Sequence, residues 1–551
     1  MRMSYWEYQG TAHTGVARVA CSMNGVHAVM YSPVGDTYIN SMFTMMEREK
    51  RFPPVTTSVL DLKTMGMGVN KLPETLQEVF ADHKPDLMVV ACTCSSTLLQ
   101  EDLGALAKSA NLPEDQTEVL IYAPNPYRVE EDEAANGLLT LLTRKYANVS
   151  MPPTAKPSVN IIGTISLGFH HKQDLISLTR MLTTLGVDVN VVFPEGASVA
   201  DVRRLPQAWA TVAPYREMGQ DAAKALEELH GIPAITSTPL GVMATRQWVK
   251  DVLHALAKFA QAHNIVYDAK EPALAAFSLD QKSPPSALPW FSYTADVQSF
   301  SSRKAFVFGD FSHVVGITRL LATELDVEVL CAGTFDVRRA KEFEEAVAPY
   351  TKRTIVSVEF EEVRKKIAEL QPDVVLGTQM ERHTAAGLDI PCSTISNPIH
   401  IEDFALSYQP FLGYDGSNYV TDRIYHTMTL GLEKHLIEMF GDAGLGHAEA
   451  TASPVAAVAP AQDLQVKAAQ LAVDGGSATA VLAPAQSAVA VAAKPAADAP
   501  LAWTDEANKA LKQIPFFVRP KVQKRVEDFA REHGYSLVTL DLVYEVKEKA
   551  G

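Results

Sequence analysis

Short, almost continuously apolar runs rich in β-branched residues recur along the first four-fifths of this chain, and longer amphipathic stretches separate them. The clearest are Leu87 to Ala91, Val119 to Ala123, Val159 to Ile162, Val187 to Phe193, Ala305 to Phe308, Val327 to Leu330 and Val374 to Leu376. A strand with one face in water alternates apolar and polar residues, so runs without alternation require cover on both faces. Helices supply that cover when strand and helix alternate along the chain, and the sheets are then parallel. The expected fold class is therefore α/β with parallel sheets. A loose internal repeat supports more than one such unit: Lys84-Pro-Asp-Leu-Met-Val-Val resembles Gln371-Pro-Asp-Val-Val-Leu, and Ser158-Val-Asn-Ile-Ile-Gly163 resembles Lys304-Ala-Phe-Val-Phe-Gly309. We expect three Rossmann-like domains, over 1–155, 156–300 and 301–445, with ligand sites where the carboxyl ends of their strands meet.

Beyond residue 445 the composition changes. Residues 446–500 are rich in Ala, Val and Pro and nearly free of aromatic residues, so they bury too little apolar area to offset the entropy of ordering and are expected to form a flexible linker. Core-forming residues return in 501–551, where Val522, Val526 and Phe529 share one helix face and Gly534 is placed to end that helix, with Leu537 to Val546 beginning another. A small helical C-terminal domain is expected there.

With 551 residues and 47% hydrophobic content, the chain holds no apolar run long enough to span a bilayer. Its first residues, Met1-Arg-Met-Ser-Tyr-Trp-Glu7, lack the apolar centre of a secretory signal, so a cytoplasmic location is expected. A net charge of −16 disfavours nucleic-acid binding, which needs clustered Lys and Arg. Nucleotide fingerprints of the Gly-x-x-x-x-Gly-Lys and Gly-x-Gly-x-x-Gly kinds are missing, so any ATP used must be bound by another chain. The five cysteines include one close pair, Cys92 and Cys94, whose spacing matches no common four-cysteine cluster motif.

Several segments combine reactive side chains with a position just past a strand. Asp36 follows Gly35 after the strand Ala28 to Tyr31, and Cys92 and Cys94 follow the strand Leu87 to Ala91. Asp296 stands among the aromatic residues Trp290, Phe291, Tyr293 and Phe300. Aromatic cover disfavours a charged carboxylate, so Asp296 is a candidate for a carboxyl group that keeps its proton near neutral pH. Past the strand Cys392 to Ile395, His400 and the segment Tyr408 to Ser417 mix His, acids, aromatics and glycines in a way that suits a flat, hydrophobic ligand with a polar edge.

Taken together, Tyr5-Trp-Glu-Tyr-Gln-Gly10, Gly25-Val-His27, Pro33-Val-Gly-Asp-Thr-Tyr38, Cys94 to Asp102, Pro289-Trp-Phe with Asp296, Phe308-Gly-Asp310 and Pro391 to Gly416 resemble the B subunits of the light-independent protochlorophyllide reductases, a nitrogenase-like family. Ile514-Pro-Phe-Phe-Val-Arg519 and the following helix are similar to the small domain that ends those subunits. The length of the Ala-rich linker, Val34, and Val297 to Ser299 depart from the family pattern.

The resemblance implies a nitrogenase component 1-like fold and a [4Fe–4S] cluster shared with an N subunit, which gives three cysteines while Asp36 of this chain gives the fourth ligand. A carboxylate oxygen is a harder donor than thiolate and is expected to lower the cluster potential. It further implies an N2B2 heterotetramer, a separate homodimeric L subunit that binds ATP-Mg and delivers electrons singly, and reduction of the C17=C18 bond of protochlorophyllide to chlorophyllide a. In that reading Asp296 donates a proton, and His400, Phe411, Leu412 and Gly413 contact the substrate. Two readings on the same fold stand beside it: a chlorophyllide a reductase subunit, expected to carry Cys in place of Asp36, and a nitrogenase-like scaffold for cofactor assembly.

Overall fold

The computed structural model describes residues 7–36, 46–47, 52–60, 70–272, 274–277 and 300–440, and beyond them 502–504, 507, 519–533, 535, 537–540 and 542. The chain divides into two compact units, Met1–Glu449 and Ala450–Gly551. Asp296 and residues 446–500 lie outside the described residues.

The first unit contains three parallel sheets. In the first, β1 (Val26–Pro33), β2 (Val55–Leu60), β3 (Leu87–Cys92) and β4 (Glu118–Ile121) lie in the order β2-β1-β3-β4. The second has β5 (Ser158–Thr164), β6 (Asp188–Pro194), β7 (Ala210–Val212) and β8 (Ala234–Ile235) in the order β6-β5-β7-β8. The third has β9 (Lys304–Gly309), β10 (Glu328–Thr334), β11 (Thr354–Val356), β12 (Val374–Gly377) and β13 (Cys392–Thr394) in the order β11-β10-β9-β12-β13. Every ladder is parallel. The central strands β1, β3, β5 and β12 are buried along nearly their whole length, as their unbroken apolar runs require.

The strand order reverses once in each sheet, between β1 and β3, between β5 and β7, and between β9 and β12. At such a point the two following connections leave to opposite faces of the sheet and open a crevice at the carboxyl ends of the strands. One continuous core runs through all three sheets, joining Ala28, Val89, Ile161, Val212, Val307 and Leu376.

The helices that set the crevices against one another are α1 (Ala12–Ser22), α2 (Glu131–Tyr146), α3 (His171–Thr184), α4 (Arg216–His230), α5 (Phe311–Glu324) and α6 (Gly413–Phe440). Helix α1 packs on α2, and α2 on α4. The first contact depends on Gly15, because a Cβ there would fall 2.1 Å from the Glu131 carbonyl oxygen. That close approach lets the guanidinium of Arg18 reach the first turn of α2. Among the described residues no helix is long and apolar enough to cross a membrane.

In the second unit α7 (Arg519–Glu532) gives Val526 and Ala530 to a small core with Ala507, Val538 and Leu542. Leu537 and Val538, expected to open a helix, instead form strand β15, which pairs in parallel with β14 (Ala502–Trp503). Aromatic and β-branched side chains suit a pleated surface better than a helix start, and pairing with Trp503 decides the outcome.

Candidate functional site

The three crevices open into one chamber of about 630 Å³. Its walls come from the segments that follow strand ends: Asp36 after β1, Cys94 after β3, Ile165 to Phe169 after β5, Tyr215 and Glu217 after β7, Asp310 and His313 after β9, and Gln379 after β12. Helices α1 and α2 close it with Arg18, Glu131 and Asp132.

Asp36 is the last described residue of the turn that leaves β1. Gly35 makes the turn possible with φ at +105°, a backbone conformation that residues with a Cβ rarely adopt. The preceding Val34 is 82% exposed, so the turn stands out from the sheet edge. Two contacts fix Asp36 from behind: the Thr93 hydroxyl donates to its Oδ2 at 2.8 Å, and His13 Nε2 meets its carbonyl oxygen at 3.2 Å. A carbonyl only accepts, so Nε2 carries the hydrogen and Nδ1 accepts from the Thr11 hydroxyl at 2.7 Å. Burial keeps this ring neutral, holding its pKa below the ordinary value despite the Asp36 carbonyl.

The carboxylate of Asp36 is therefore oriented through one oxygen, and no hydrogen bond among the described residues reaches the other. That fits a single oxygen ligand to a metal centre. Among the described residues no group of three or more His, Cys, Asp and Glu side chains is arranged to hold a metal ion. Burial first, and then the Asp36 charge, push the nearby Cys94 thiol above its ordinary value, which favours the protonated form. Cys92 is buried, and desolvation raises its thiol too.

At the back of the chamber the ionisable groups are packed closely. Arg18 Nη1 contacts both Glu131 Oε1 and Asp132 Oδ1 at 2.9 Å, and its Nε donates to the Ser166 carbonyl. One buried cation compensates one carboxylate fully, and a second carboxylate beside it is better neutral. Desolvation accordingly raises Asp132 well above the carboxylate range against the pull of Arg18, with Glu131, Glu217 and Asp310 adding to the rise. Asp310 caps α5 by accepting from the His313 amide at 2.9 Å, and both its oxygens lie 2.8 Å from His313 Nδ1. Burial alone favours a neutral ring, yet the Asp310 charge outweighs it and raises His313. The same pairing outweighs desolvation at Asp310 and lowers it, so the two form an ion pair. Glu217 accepts from the Ser312 hydroxyl at 2.5 Å, and desolvation together with Asp310 pushes it up to about 7.

The segment expected to contact substrate separates into two environments. His400 is exposed. Phe411 and Leu412 are fully buried, and their amides donate to Asp174 Oδ1 at 2.6 and 2.8 Å. The Phe411 ring stands edge-on to Phe169 at 4.7 Å and to His313 at 5.9 Å, one layer behind the chamber wall. Gly413 opens α6 with φ at +78°, and a Cβ there would meet Met181 Sδ at 2.6 Å. Phe411, Leu412 and Gly413 thus lock the start of α6 onto α3, while Asp36 faces the chamber.

Asp174 also accepts from the Tyr215 hydroxyl at 2.5 Å, and burial raises its carboxyl to about 6 in spite of these donors. A raised carboxyl favours the folded state below the unfolded pKa, near ~4, and that contribution is lost as pH rises through the folded value. Asp174→Asn keeps an acceptor for both amides and removes the titration. Its stability relative to the natural protein is expected to increase between about pH 4 and 7 by on the order of 2–3 kcal/mol, measured by urea unfolding of both proteins. A difference that does not change with pH would contradict the assignment.

Reasoning from sequence did not find Arg18, Asp132, Asp174, Glu217 or His313. Only Asp310 carried a signal, as the polar residue after a strand-ending glycine.

Comparison with known proteins gives two family matches. Residues 11–429 match the nitrogenase component 1 type oxidoreductases, and residues 503–547 match the family described as the proto-chlorophyllide reductase 57 kD subunit. Among curated relatives, the B subunit of the light-independent protochlorophyllide reductase of Roseiflexus castenholzii is 46% identical over 573 aligned residues, covering 100% of both chains. Its counterpart in Chloroflexus aurantiacus is 47% identical over 552, and that in Chlorobium luteolum 45% over 552, each with 100% of both chains covered. A solved nitrogenase chain, nitrogenase Cp1 at pH 6.5, superposes with a TM-score of 0.64 at 16% identity, covering 79% of this chain and 95% of that one. This last likeness concerns the fold.

Proposed function

This chain belongs to the nitrogenase component 1 type oxidoreductases, in the family of light-independent protochlorophyllide reductase B subunits, and on that footing we propose that it takes part in the ATP-dependent reduction of protochlorophyllide to chlorophyllide a. The observation that carries the proposal is identity of 44–47% to such subunits across the whole length of both chains. The match of residues 503–547 to the proto-chlorophyllide reductase family favours this reading over a chlorophyllide a reductase or a cofactor-assembly scaffold.

The reaction adds two electrons and two protons across the C17=C18 bond of the substrate. A [4Fe–4S] cluster, when bound, supplies the electrons one at a time. Asp36 gives that cluster one oxygen ligand, and three cysteines of an N subunit complete it. Thr93 supports this role, since its bond to Oδ2 fixes the carboxylate before any metal arrives. Exposed apolar side chains stand on the turn itself, at Val34, and in the segments after β3 and β4, at Leu98 and Tyr127; an apolar patch of such residues marks a protein interface. We assign that patch to the N subunit in an N2B2 heterotetramer. ATP-Mg belongs to a separate homodimeric L subunit, and the assembly works in the cytoplasm.

Asp296 holds the proton for the reduced ring. His400, exposed past β13, meets a polar edge of the substrate, while Phe411, Leu412 and Gly413 hold the shape of the loop behind it. The experiment is reconstitution of the purified chain with its N and L partners, ATP, a reductant and protochlorophyllide, with pigment extracted and its absorption spectrum read. Chlorophyllide formed only with ATP and all three subunits supports the function. Its absence from an assembled, cluster-loaded complex contradicts it.

A further inference from the structure

A second cavity, of about 270 Å³, adjoins the chamber. Gln9, Asp132 and Glu217 border both spaces, so they form the partition between them. On the side of the second cavity the wall carries Glu130, Glu133 and Asp336 with Arg338 and Arg339. On the chamber side Glu217 is held by Ser312, and His313 Nε2 is buried without a hydrogen-bond partner. Gln9 Nε2 donates to Asp132 Oδ2 at 3.0 Å, which orients the partition.

We propose that this array is a proton path, running from the second cavity through the Asp132–Glu217 partition into the chamber, where His313, charged in its pair with Asp310, passes its own proton on toward the substrate and is recharged. The proposal rests on the reading above, in which two protons are consumed at the substrate double bond. Both cavities are large enough for water and carry carboxyl groups that can bind it, so carboxyl groups and water alternate. Each transfer moves one proton: Glu217 gives its hydroxyl hydrogen to water in the chamber and takes another from the second cavity, and two such cycles serve one reduced double bond. Electrons reach the substrate by the separate route already described.

The titration behaviour of the groups agrees with this geometry. Desolvation, followed by neighbouring carboxylates, raises Glu130. Desolvation also raises Glu133 and Asp336 against the pull of nearby arginines. Glu217, near 7, is poised to both hold and release a proton at neutral pH. The charged groups set around it are Asp310 and His313 from α5, Asp132 from α2, Arg18 from α1, and Asp336 and Arg339 past β10.

The test compares Glu217→Gln and Asp336→Asn with the natural chain, each in complex with its N-type partner. Asp336 caps the short 3-10 turn Val337–Arg339 by accepting from the Arg339 amide, and Asn keeps that acceptor, while Glu217→Asp serves as a conservative control. Infrared difference spectroscopy without turnover reads the carboxyl C=O band. The expected result is a band that titrates near neutral pH, disappears in Glu217→Gln, and exchanges with D2O more slowly in Asp336→Asn. In turnover, Glu217→Gln is expected to lower chlorophyllide formation about tenfold or more with cluster spectrum and pigment binding unchanged, and Glu217→Asp to recover part of it. An unchanged band and exchange rate, or natural turnover and pH profile in both variants, overturns the path. If the natural complex forms no chlorophyllide, the function fails, and the band and its exchange rate still decide the path.

Discussion

Asp36→Ala is expected to strip the assembled complex of most of its cluster and lower turnover by about 10²-fold or more, beyond the loss usual for residues that merely orient a ligand. The methyl group has no donor atom, and among the described residues the nearby side chains are not in suitable form: Cys94 is held as a thiol, and His13 spends both ring nitrogens on Thr11 and the Asp36 carbonyl. The loss falls on the metal site and not on the fold, because Asp36 sits in an exposed turn whose carboxylate bonds only to Thr93 among the described residues. Asp36→Cys restores a ligand of softer type, so it is expected to keep a cluster at a raised potential and to reduce substrate poorly. Iron content, EPR amplitude and turnover on one preparation of each variant check this. Full turnover in Asp36→Ala would remove Asp36 from the site.

Asp296→Ala separates proton transfer from electron delivery. A positioned acid is worth about 10²–10⁴ in rate, and its removal leaves the cluster ligand and the substrate contacts in place. The variant is expected to assemble, show the natural cluster spectrum and bind protochlorophyllide, yet form almost no chlorophyllide. Asp296→Glu is expected to regain part of the rate, since it restores the carboxyl group on a longer stem. Measuring EPR, pigment binding and product together distinguishes the outcomes. Turnover at the natural rate would place the donor elsewhere, with His400 next, and loss of the cluster signal would make the residue structural.

Strands buried on both faces were legible because burial forbids polar residues along them, so β3, β5, β9 and β12 stand out as apolar runs. Strand β2 escaped notice for the opposite reason: Val55-Thr-Thr-Ser-Val-Leu60 lies at a sheet edge, half exposed, and its polar residues break the run. Asp36 was singled out through the resemblance of its motif, and the structure adds why Gly35 precedes it. The ionic cluster could not be read, since Arg18 meets Asp132, and Asp174 meets Phe411, across more than a hundred residues of chain. Such pairs arise when three sheets bring their order reversals together, a fact of topology that no local pattern records. Phe411 to Gly413 have the composition of a ligand surface, and in the fold the amides of Phe411 and Leu412 donate to the buried Asp174 carboxyl group.

The central claim, that this chain supplies one ligand to a cluster completed by its partner, is tested most directly by low-temperature EPR of the dithionite-reduced chain alone and in complex with its N-type partner. The account predicts no [4Fe–4S] signal from the chain alone and a full signal from the complex that is lost in Asp36→Ala. A full [4Fe–4S] signal from the isolated chain, or an unaltered one from the Asp36→Ala complex, would contradict it.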